Sequence, residues 1–151
     1  MNIALACDHG AFEHKEALKK HLIEKGYTVK DFGAHSPDSV DYPDTVAPAC
    51  EYVASHPESL GIVMCGTGIG ASIVANKVKG IRCALVYDEE IAKITREHNN
   101  SNVLASGGRV VSVDKMLAIA DAWLSTDFSH DARHQRRIDK ITKVEGEQHE
   151  G

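Results

Sequence analysis

The sequence predicts a single-domain α/β protein in which helices cover both faces of a central five-stranded parallel sheet. Short apolar runs alternate with amphipathic segments along the chain, as they do in consecutive β-α units. The chain has 151 residues, the length of one domain that buries a core without disulfides or metal. It contains neither an internal repeat nor a linker. We therefore expect one domain over residues 1–144 and a disordered tail over residues 145–151.

The first two strands flank a long helix. Residues 2–6 form an apolar run typical of a buried strand. Residues 11–25 carry apolar side chains at helical spacing, and Gly26 follows as a C-terminal cap. Residues 27–32 are predicted to form the second strand. A polar loop over residues 33–41 then leads to the next helix.

Two prolines mark the second helix. Proline suits the first position of a helix, so Pro43 predicts a start there. Pro48 either kinks this helix or marks its true start. The remaining elements follow from shorter patterns of the same kind. Strands are predicted at residues 61–64, 81–86 and 103–105, and helices at residues 71–77, 89–97, 112–124 and 132–144.

Charge and composition exclude several classes of protein. The net charge is −5, from 17 Lys and Arg against 22 Asp and Glu, which argues against a general nucleic-acid or membrane-surface binder. No apolar stretch approaches the roughly 18 residues of a membrane span, and no secretion signal is evident. The 4 cysteines show neither paired nor disulfide-dense spacing, which favours reduced thiols. We expect a cytoplasmic protein.

The segment from Cys65 to Ala71 carries the strongest functional signal. A predicted strand ends in the cysteine, and glycines follow at positions 66, 68 and 70 before a helix. Glycines let the backbone turn with positive φ and approach a ligand closely. The N–H groups of such a loop point at a bound oxyanion, where the helix dipole favours negative charge. The segment therefore predicts an anion site with a thiol at its edge.

Polar residues also follow the other predicted strands. Ligands of doubly wound sheets bind beyond the carboxyl ends of the strands, so these residues are candidates for one site. Each has a structural interpretation as well: a cysteine at a strand end is usually a small buried hydrophobe, an Asp-His pair before glycine is turn chemistry, and an arginine-rich helix is usually a solvated face. The candidate strand ends are residues 7–10, 65–68, 87–88 and 106–109.

A dinucleotide-binding loop is the main alternative. Gly66, Gly68 and Ala71 fit the pattern G-x-G-x-x-G/A, and Asp88 lies about 20 residues further on, at the next strand end. This alternative leaves Cys65 without a role, and the chain has no room for a separate substrate domain. A cysteine phosphatase is excluded, because no arginine follows a cysteine at the C-x5-R spacing.

Several motifs in the right order resemble a known family. They are ACDHGAF, DYP, MCGTGIGASIVANKVKGIR, REHNNSNVLASGGRVV and ARHQRRIDKI, at residues 6–12, 41–43, 64–82, 96–111 and 132–141. Together they resemble type B ribose-5-phosphate isomerase over nearly the whole chain. The resemblance implies a Rossmann-like three-layer sandwich whose C-terminal helix reaches the partner subunit of a homodimer or tetramer.

The resemblance also implies an activity. Members of this family interconvert D-ribose 5-phosphate and D-ribulose 5-phosphate through a cis-enediolate, in the non-oxidative branch of the pentose phosphate pathway. They use no metal and no cofactor, and their active sites are shared between subunits. Allose 6-phosphate is implied as a slower or alternative substrate, since a longer sugar mainly needs extra room. The partners implied are therefore a phosphorylated sugar and a second copy of the chain.

By resemblance, Cys65 is the base that moves the proton between C1 and C2. A thiol at a helix N-terminus inside an N–H-rich loop is consistent with this role, because its thiolate form is favoured there. The Thr67 hydroxyl would position or relay a proton, and His98 would open the furanose ring, with Asp41 nearby. The backbone amides that would stabilise the enediolate oxygen belong to Gly66, Gly68, Ile69 and Gly70.

The resemblance assigns the remaining residues to substrate binding. Asp8 and Asn99 would hold sugar hydroxyls, and Tyr42 would line the pocket. The phosphate would be bound from both subunits, because guanidinium groups match phosphate oxygens. The phosphate-binding residues are His9 and Arg109 of one subunit and Arg133, His134 and Arg137 of its partner.

Two features select a branch within the family. Some members place a glutamate base at the position of Ala71 and lack the cysteine, so this chain is left with Cys65 as the candidate base. Galactose-6-phosphate isomerase subunits lack the pair His98-Asn99 and the R-H-Q-x-R segment over residues 133–137, and both are present here. The resemblance therefore favours ribose 5-phosphate as substrate.

Overall fold

A computed structural model describes residues 1–150, with side chains up to Glu147. Five strands form one sheet with the order β2-β1-β3-β5-β4, and all neighbouring pairs are parallel. The five-stranded parallel sheet predicted from the sequence is therefore confirmed. The strands are β1 Asn2–Cys7, β2 Thr28–Asp31, β3 Leu60–Cys65, β4 Cys83–Leu85 and β5 Val103–Gly107.

Six helices connect and follow the strands. A short 3-10 turn, His9–Ala11, precedes the first of them. They are α1 Phe12–Glu24, α2 Tyr42–Ser55, α3 Ile69–Lys77, α4 Glu89–Asn99, α5 Val113–Leu124 and α6 Ala132–Glu150. No helix within residues 1–150 is long and apolar enough to cross a membrane.

The two faces of the sheet are covered by different helices, which makes three layers. On one face, Leu18 of α1 and Trp123 of α5 pack with Leu5 and Leu104 of the sheet, all fully buried. On the other face, α2 and α3 cover a second apolar cluster that includes the side chain of Cys65. Burial on both faces explains why these strands are continuous apolar runs rather than alternating ones.

The second and last helices differ from their predicted bounds. Helix α2 begins at Tyr42, with Pro43 in its first turn, so Pro48 lies inside the helix and does not mark its start. Helix α6 continues six residues past Val144, to Glu150. There Glu145 accepts the N–H of Gly80 at 3.1 Å. The division into a domain over 1–144 and a tail over 145–151 stays a prediction, and Gly151 lies outside the described residues.

Candidate active site

The topology creates a crevice between β1 and β3. These strands are neighbours, yet β1 leads into α1 on one face of the sheet and β3 leads into α3 on the other. Ligands of open α/β sheets bind at such a switch point, beyond the carboxyl ends of the strands. The residues that follow β1 and β3 are Asp8 and the glycine loop, which the sequence proposed as parts of one site.

The thiol of Cys65 lies at the base of this crevice. Its side chain is buried, and its sulfur accepts the N–H of Gly68 at 3.2 Å. Gly68 has φ 84°, a left-handed conformation that glycine adopts at little cost. A Cβ at this position would lie 2.6 Å from the carbonyl carbon of Ser106, so no side chain fits. The loop thus directs a hydrogen-bond donor at the sulfur.

Arg109 lies over the glycine loop. Its N–H donates to the carbonyl of Gly66 at 2.8 Å, and its Cδ and Nη1 would both lie 3.3 Å from a Cβ placed on Gly66. Gly108 donates its N–H to the carbonyl of Cys65 at 3.0 Å. These contacts bring the end of β5 against the end of β3. As a result, a guanidinium and the thiol flank the same loop.

The loop after β1 closes the other side of the crevice. Asp8 is buried and accepts the N–H of Gly10 at 2.8 Å. A Cβ on Gly10 would lie 3.1 Å from the nitrogen of Gly66, so the two loops touch. His9 accepts the N–H of Val40 through Nδ1 at 3.3 Å, which ties the polar loop over 33–41 to the crevice.

Two cavities lie along these loops. One has a volume of about 470 Å³ and is lined by Asp8, His9, Asp41 and Tyr42, among others. The other has a volume of about 270 Å³ and is lined by His9 and Arg109. His9 therefore lines both cavities. The Tyr42 ring also packs on Gly70, where a Cβ would lie 2.4 Å from Tyr42 Cζ.

Tyr87 was among the candidate residues at strand ends, but the sequence predictions gave it no role in the site. Its hydroxyl donates to the carbonyl of Thr67 at 2.6 Å. The Thr67 hydroxyl in turn accepts the N–H of Ile69 at 3.2 Å. Tyr87 follows β4, and its position at a strand end is the one signal in the sequence that indicates it. The next residue, Asp88, caps α4 by accepting the N–H of Ile91 at 2.8 Å.

The other predicted site residues form a second cluster on α4 and α6. The rings of His98 and His134 are stacked, with centroids 4.2 Å apart. Arg133 Nη2 lies 3.5 Å from His134 Nε2, and Arg137 is exposed on the same helix. Burial, then His98 and Arg133, hold the pKa of His134 below its ordinary value. Asn99 ends α4 beside His98.

The two clusters lie at opposite edges of the sheet within one chain. Helix α4 starts after the carboxyl end of β4 and runs back, so it ends where β5 begins. Arg82, the residue before β4, donates to the carbonyl of Asn99 at 3.0 Å, which places Asn99 at the amino edge. Cys65 and Asp8 lie at the carboxyl edge. The structure therefore brings His98 near His134, but not near Asp41 of the same chain.

The remaining cysteines are structural in character. Burial raises the pKa of Cys7 to about 11 and that of Cys50 to about 12. Burial likewise raises the pKa of Cys83. Among the described side chains, no group of three or more His, Cys, Asp or Glu is placed to hold a metal ion. His130 and His134 have H-x-x-x-H spacing, but His130 precedes α6 with φ 59°, so the two do not share a helical face.

The fold and this crevice define a doubly wound α/β protein with a thiol in a glycine loop at its switch point. The family model described as Ribose/Galactose Isomerase matches residues 3–141. A putative sugar phosphate isomerase of Bacillus subtilis is 47% identical over 146 residues, 96% of this chain and 97% of that protein. Ribose-5-phosphate isomerase B of Escherichia coli is 41% identical over 95% of each chain. The chain belongs to the Ribose/Galactose Isomerase family.

Solved structures agree with this assignment. Ribose-5-phosphate isomerase B of Clostridium thermocellum has a TM-score of 0.95 and 44% identity, with 98% of this chain and 99% of that chain covered. Ribose-5-phosphate isomerase B of Mycoplasma genitalium, solved with bound ribulose 5-phosphate, has a TM-score of 0.93 and 40% identity, with 97% of each chain covered. The three-layer sandwich predicted from the sequence is therefore the fold of these proteins too.

Proposed function

We propose that this protein interconverts D-ribose 5-phosphate and D-ribulose 5-phosphate. The observation that carries the proposal is the Cys65 thiol, which accepts the Gly68 N–H at the switch point while Arg109 lies on the same loop. A base, an anion-stabilising loop and a phosphate-binding cation are the groups that this isomerisation needs. The relatives above support this substrate, and they do not support allose 6-phosphate or a nucleotide.

Cys65 acts as the base in the proposed mechanism. Its thiolate takes the proton from C2 of the open-chain aldose, and the electron pair forms the C1–C2 double bond of a cis-enediolate. Return of the proton to C1 gives the ketose, so no oxidant or reductant is consumed. The Gly70 N–H lies in the first turn of α3, where helices lack an internal acceptor, and is available to the enediolate oxygen. Thr67 relays the hydroxyl proton.

In this proposal, two chains supply the residues that bind the phosphate and open the sugar ring. Asp8, His9, Asp41 and Tyr42 line one wall of the site. His98 and Asn99 lie at the opposite edge of the sheet in the same chain, so a second copy must supply them. Arg133, His134 and Arg137 accompany them on that copy.

An exposed apolar face supports the pairing of two copies. Ile69 and Ile73 of α3 are 50% and 56% exposed, and Ile91 of α4 is 45% exposed. Ile69 and Ile73 are one turn apart and share a face of α3, and paired apolar side chains this exposed are typical of a protein interface. We propose a homodimer with shared sites; its assembly into a tetramer, the contact of α6 with the partner and a cytoplasmic location stay predictions.

One assay tests the activity. Purified protein is incubated with ribose 5-phosphate in EDTA, and ribulose 5-phosphate is measured for the wild type, Cys65→Ala and a control, Cys50→Ala, in which a buried cysteine outside the site is changed. We expect turnover in EDTA that Cys65→Ala loses and Cys50→Ala keeps in its folded fraction. Retained turnover in Cys65→Ala excludes this thiol as the base, and inactive wild type contradicts the substrate.

A further inference from the structure

The turn after α4 is held by side chains rather than by its own backbone alone. Asn100 ends the helix in the left-handed conformation, with φ 45° and ψ 46°. A non-glycine residue adopts this conformation only at some cost, although asparagine tolerates it best. His98 and Asn99 come directly before Asn100 and are exposed. Whatever fixes this turn also fixes the direction in which these two side chains leave the protein.

Arg82 binds the turn from the side of the sheet. Its Nε donates to the carbonyl of Asn99 at 3.0 Å and its Nη2 to the carbonyl of Asn100 at 2.9 Å. These are two of the last carbonyls of α4, for which the helix itself offers no N–H donor. Two N–H groups of one planar guanidinium thus hold two successive peptide groups. The ammonium of a lysine has no such fork.

Arg96 binds the same turn from within α4. Its Nη1 donates to Asn100 Oδ1 at 3.2 Å and to the carbonyl of Ser101. Its Nε donates to the carbonyl of Thr126 at 3.1 Å, and the guanidinium lies 5.6 Å from the ring of Trp123. The contacts with Thr126 and Trp123 lie outside the turn and hold the Arg96 side chain in the orientation in which it reaches the turn.

Neither arginine forms a close ion pair that accounts for its burial. Among the described side chains, no ion pair within 4.0 Å involves Arg82 or Arg96. Burial lowers the pKa of both, although Glu145 favours the charged form of Arg82 and Asp127 that of Arg96. Arg82 lowers the pKa of Arg96 further, so the two cations repel each other. Two half-buried like charges at one turn are retained at a cost in stability. Between them, the two arginines bind the carbonyls of residues 99–101 and the side-chain amide of Asn100.

We propose that Arg82 and Arg96 are positioning residues that fix the turn over 99–101, so that His98 and Asn99 reach the site of the partner chain. This role rests on the proposed function, in which His98 opens the sugar ring. The arginines do not touch substrate in this proposal. Their loss therefore affects ring opening, while proton transfer by Cys65 continues.

Ribulose 5-phosphate separates the two steps. Its 5-hydroxyl carries the phosphate, so it cannot close a furanose ring on C2 and stays open. In D₂O, Cys65 exchanges the C1 proton of this ketose without any ring opening. Conversion of ribose 5-phosphate, which is mainly a furanose, needs both steps. The ratio of exchange to conversion is independent of the amount of folded protein.

The test compares Arg82→Lys and Arg96→Lys with Arg136→Lys, a control on the exposed face of α6. Exchange at C1 is followed by proton NMR and conversion by ribulose 5-phosphate formation. We expect the ratio of exchange to conversion to rise roughly 10- to 100-fold in both variants, since misplacement by about 1 Å has effects of this size. The control keeps the wild-type ratio. His98→Asn is expected to raise the ratio in the same way.

Each result has one meaning. A ratio that stays at the wild-type value in Arg82→Lys or Arg96→Lys overturns the role of that arginine, whether the two rates fall together or do not fall. An unchanged ratio in His98→Asn removes ring opening from His98 instead. Loss of both reactions from the wild type, or their survival in Cys65→Ala, contradicts the proposed function and not the positioning role.

Discussion

The imidazole rings of His98 and His134 are stacked at an interplanar angle of 20°, with centroids 4.2 Å apart, although 36 residues separate them in the sequence. One ring belongs to α4 and the other to α6. His134 is only 9% exposed, and Arg133 lies beside it. Protonation of both histidines would therefore place two like charges in contact, beside the guanidinium of Arg133.

Stability should fall when His134 is protonated. Burial, His98 and Arg133 lower the pKa of His134 in the folded state below its ordinary value near 6.5. Between these two pKa values the unfolded chain binds more protons, so stability is full above about pH 6.5 and is lost as pH falls through the folded pKa. We expect the difference in Tm between wild type and His134→Asn to shrink as pH is lowered from 7.5 to 5. Thermal unfolding at matched protein concentration measures this difference, and a constant difference across that range contradicts the expectation.

A mixture of two inactive variants should regain activity. If Cys65 acts with His98 of the other chain, a heterodimer of Cys65→Ala and His98→Asn contains one intact site and one doubly changed site. Random pairing of equal amounts then gives about a quarter of the wild-type activity. The mixture is made by co-expression or by refolding together, and isomerisation is measured. Each variant mixed with itself is the control, and activity no higher than theirs places both residues in one chain's site.

Much of the fold follows from local patterns. Buried parallel strands are apolar runs, so β1, β3 and β5 were predicted nearly at their observed bounds. Strand β4 is shorter than the predicted 81–86. The N–H of Arg82, the residue before the strand, bonds the side chain of Asn102 instead of a backbone carbonyl. Asn76 bonds both backbone groups of Cys83, the first residue of the strand, at 2.8 and 3.0 Å. A hydrophobicity pattern does not distinguish such side-chain pairing from a strand.

The site was predictable only in part. The residues after β1 and β3 could be grouped, because carboxyl ends of parallel strands share one edge. The order of the strands could not be read from the chain, since β5 inserts between β3 and β4. The docking of α6 on α4 depends on contacts such as that of His134 with His98, and the spacing of residues within a helix does not predict such contacts. The resemblance named both histidines and assigned His134 to the partner subunit, while the separation of His98 from Cys65 in one chain became visible only in the structure.

The hydroxyl of Tyr87 should support turnover through the Thr67 carbonyl. Tyr87→Phe removes one hydrogen bond of 2.6 Å and leaves the ring in place. A net loss of about 1 kcal/mol in loop placement corresponds to a decrease of about fivefold in kcat/KM. Tyr52→Phe is the matched control, because the Tyr52 hydroxyl bonds Asn2, far from the crevice. Equal kinetics in the two variants would exclude a role for Tyr87 in holding the loop.

Lys15 and Asp31 form a buried ion pair that should dominate the stability of the region behind the site. Lys15 is fully buried and donates to both oxygens of Asp31, at 2.9 and 2.7 Å, and to the carbonyl of Ala34 at 2.7 Å. Burial alone would raise the pKa of Asp31, but the hydrogen bonds from Lys15, Gly33 and Lys19 hold it below its ordinary value. The buried Asp31 carboxylate therefore stays charged because these partners bind it.

Lys15→Met should therefore lower the free energy of unfolding by about 3 kcal/mol, the low end for breaking a buried pair, because Lys19 still lies 3.2 Å from Asp31. The double variant Lys15→Met/Asp31→Leu should recover part of this loss, since no charge is then left buried alone. Urea unfolding at one protein concentration and pH 7 gives both values. Below about pH 4 the loss in Lys15→Met should diminish, because Asp31 becomes neutral in that variant. A double variant less stable than Lys15→Met would contradict this expectation and show that Lys19 and the Gly33 N–H are sufficient partners for the Asp31 carboxylate.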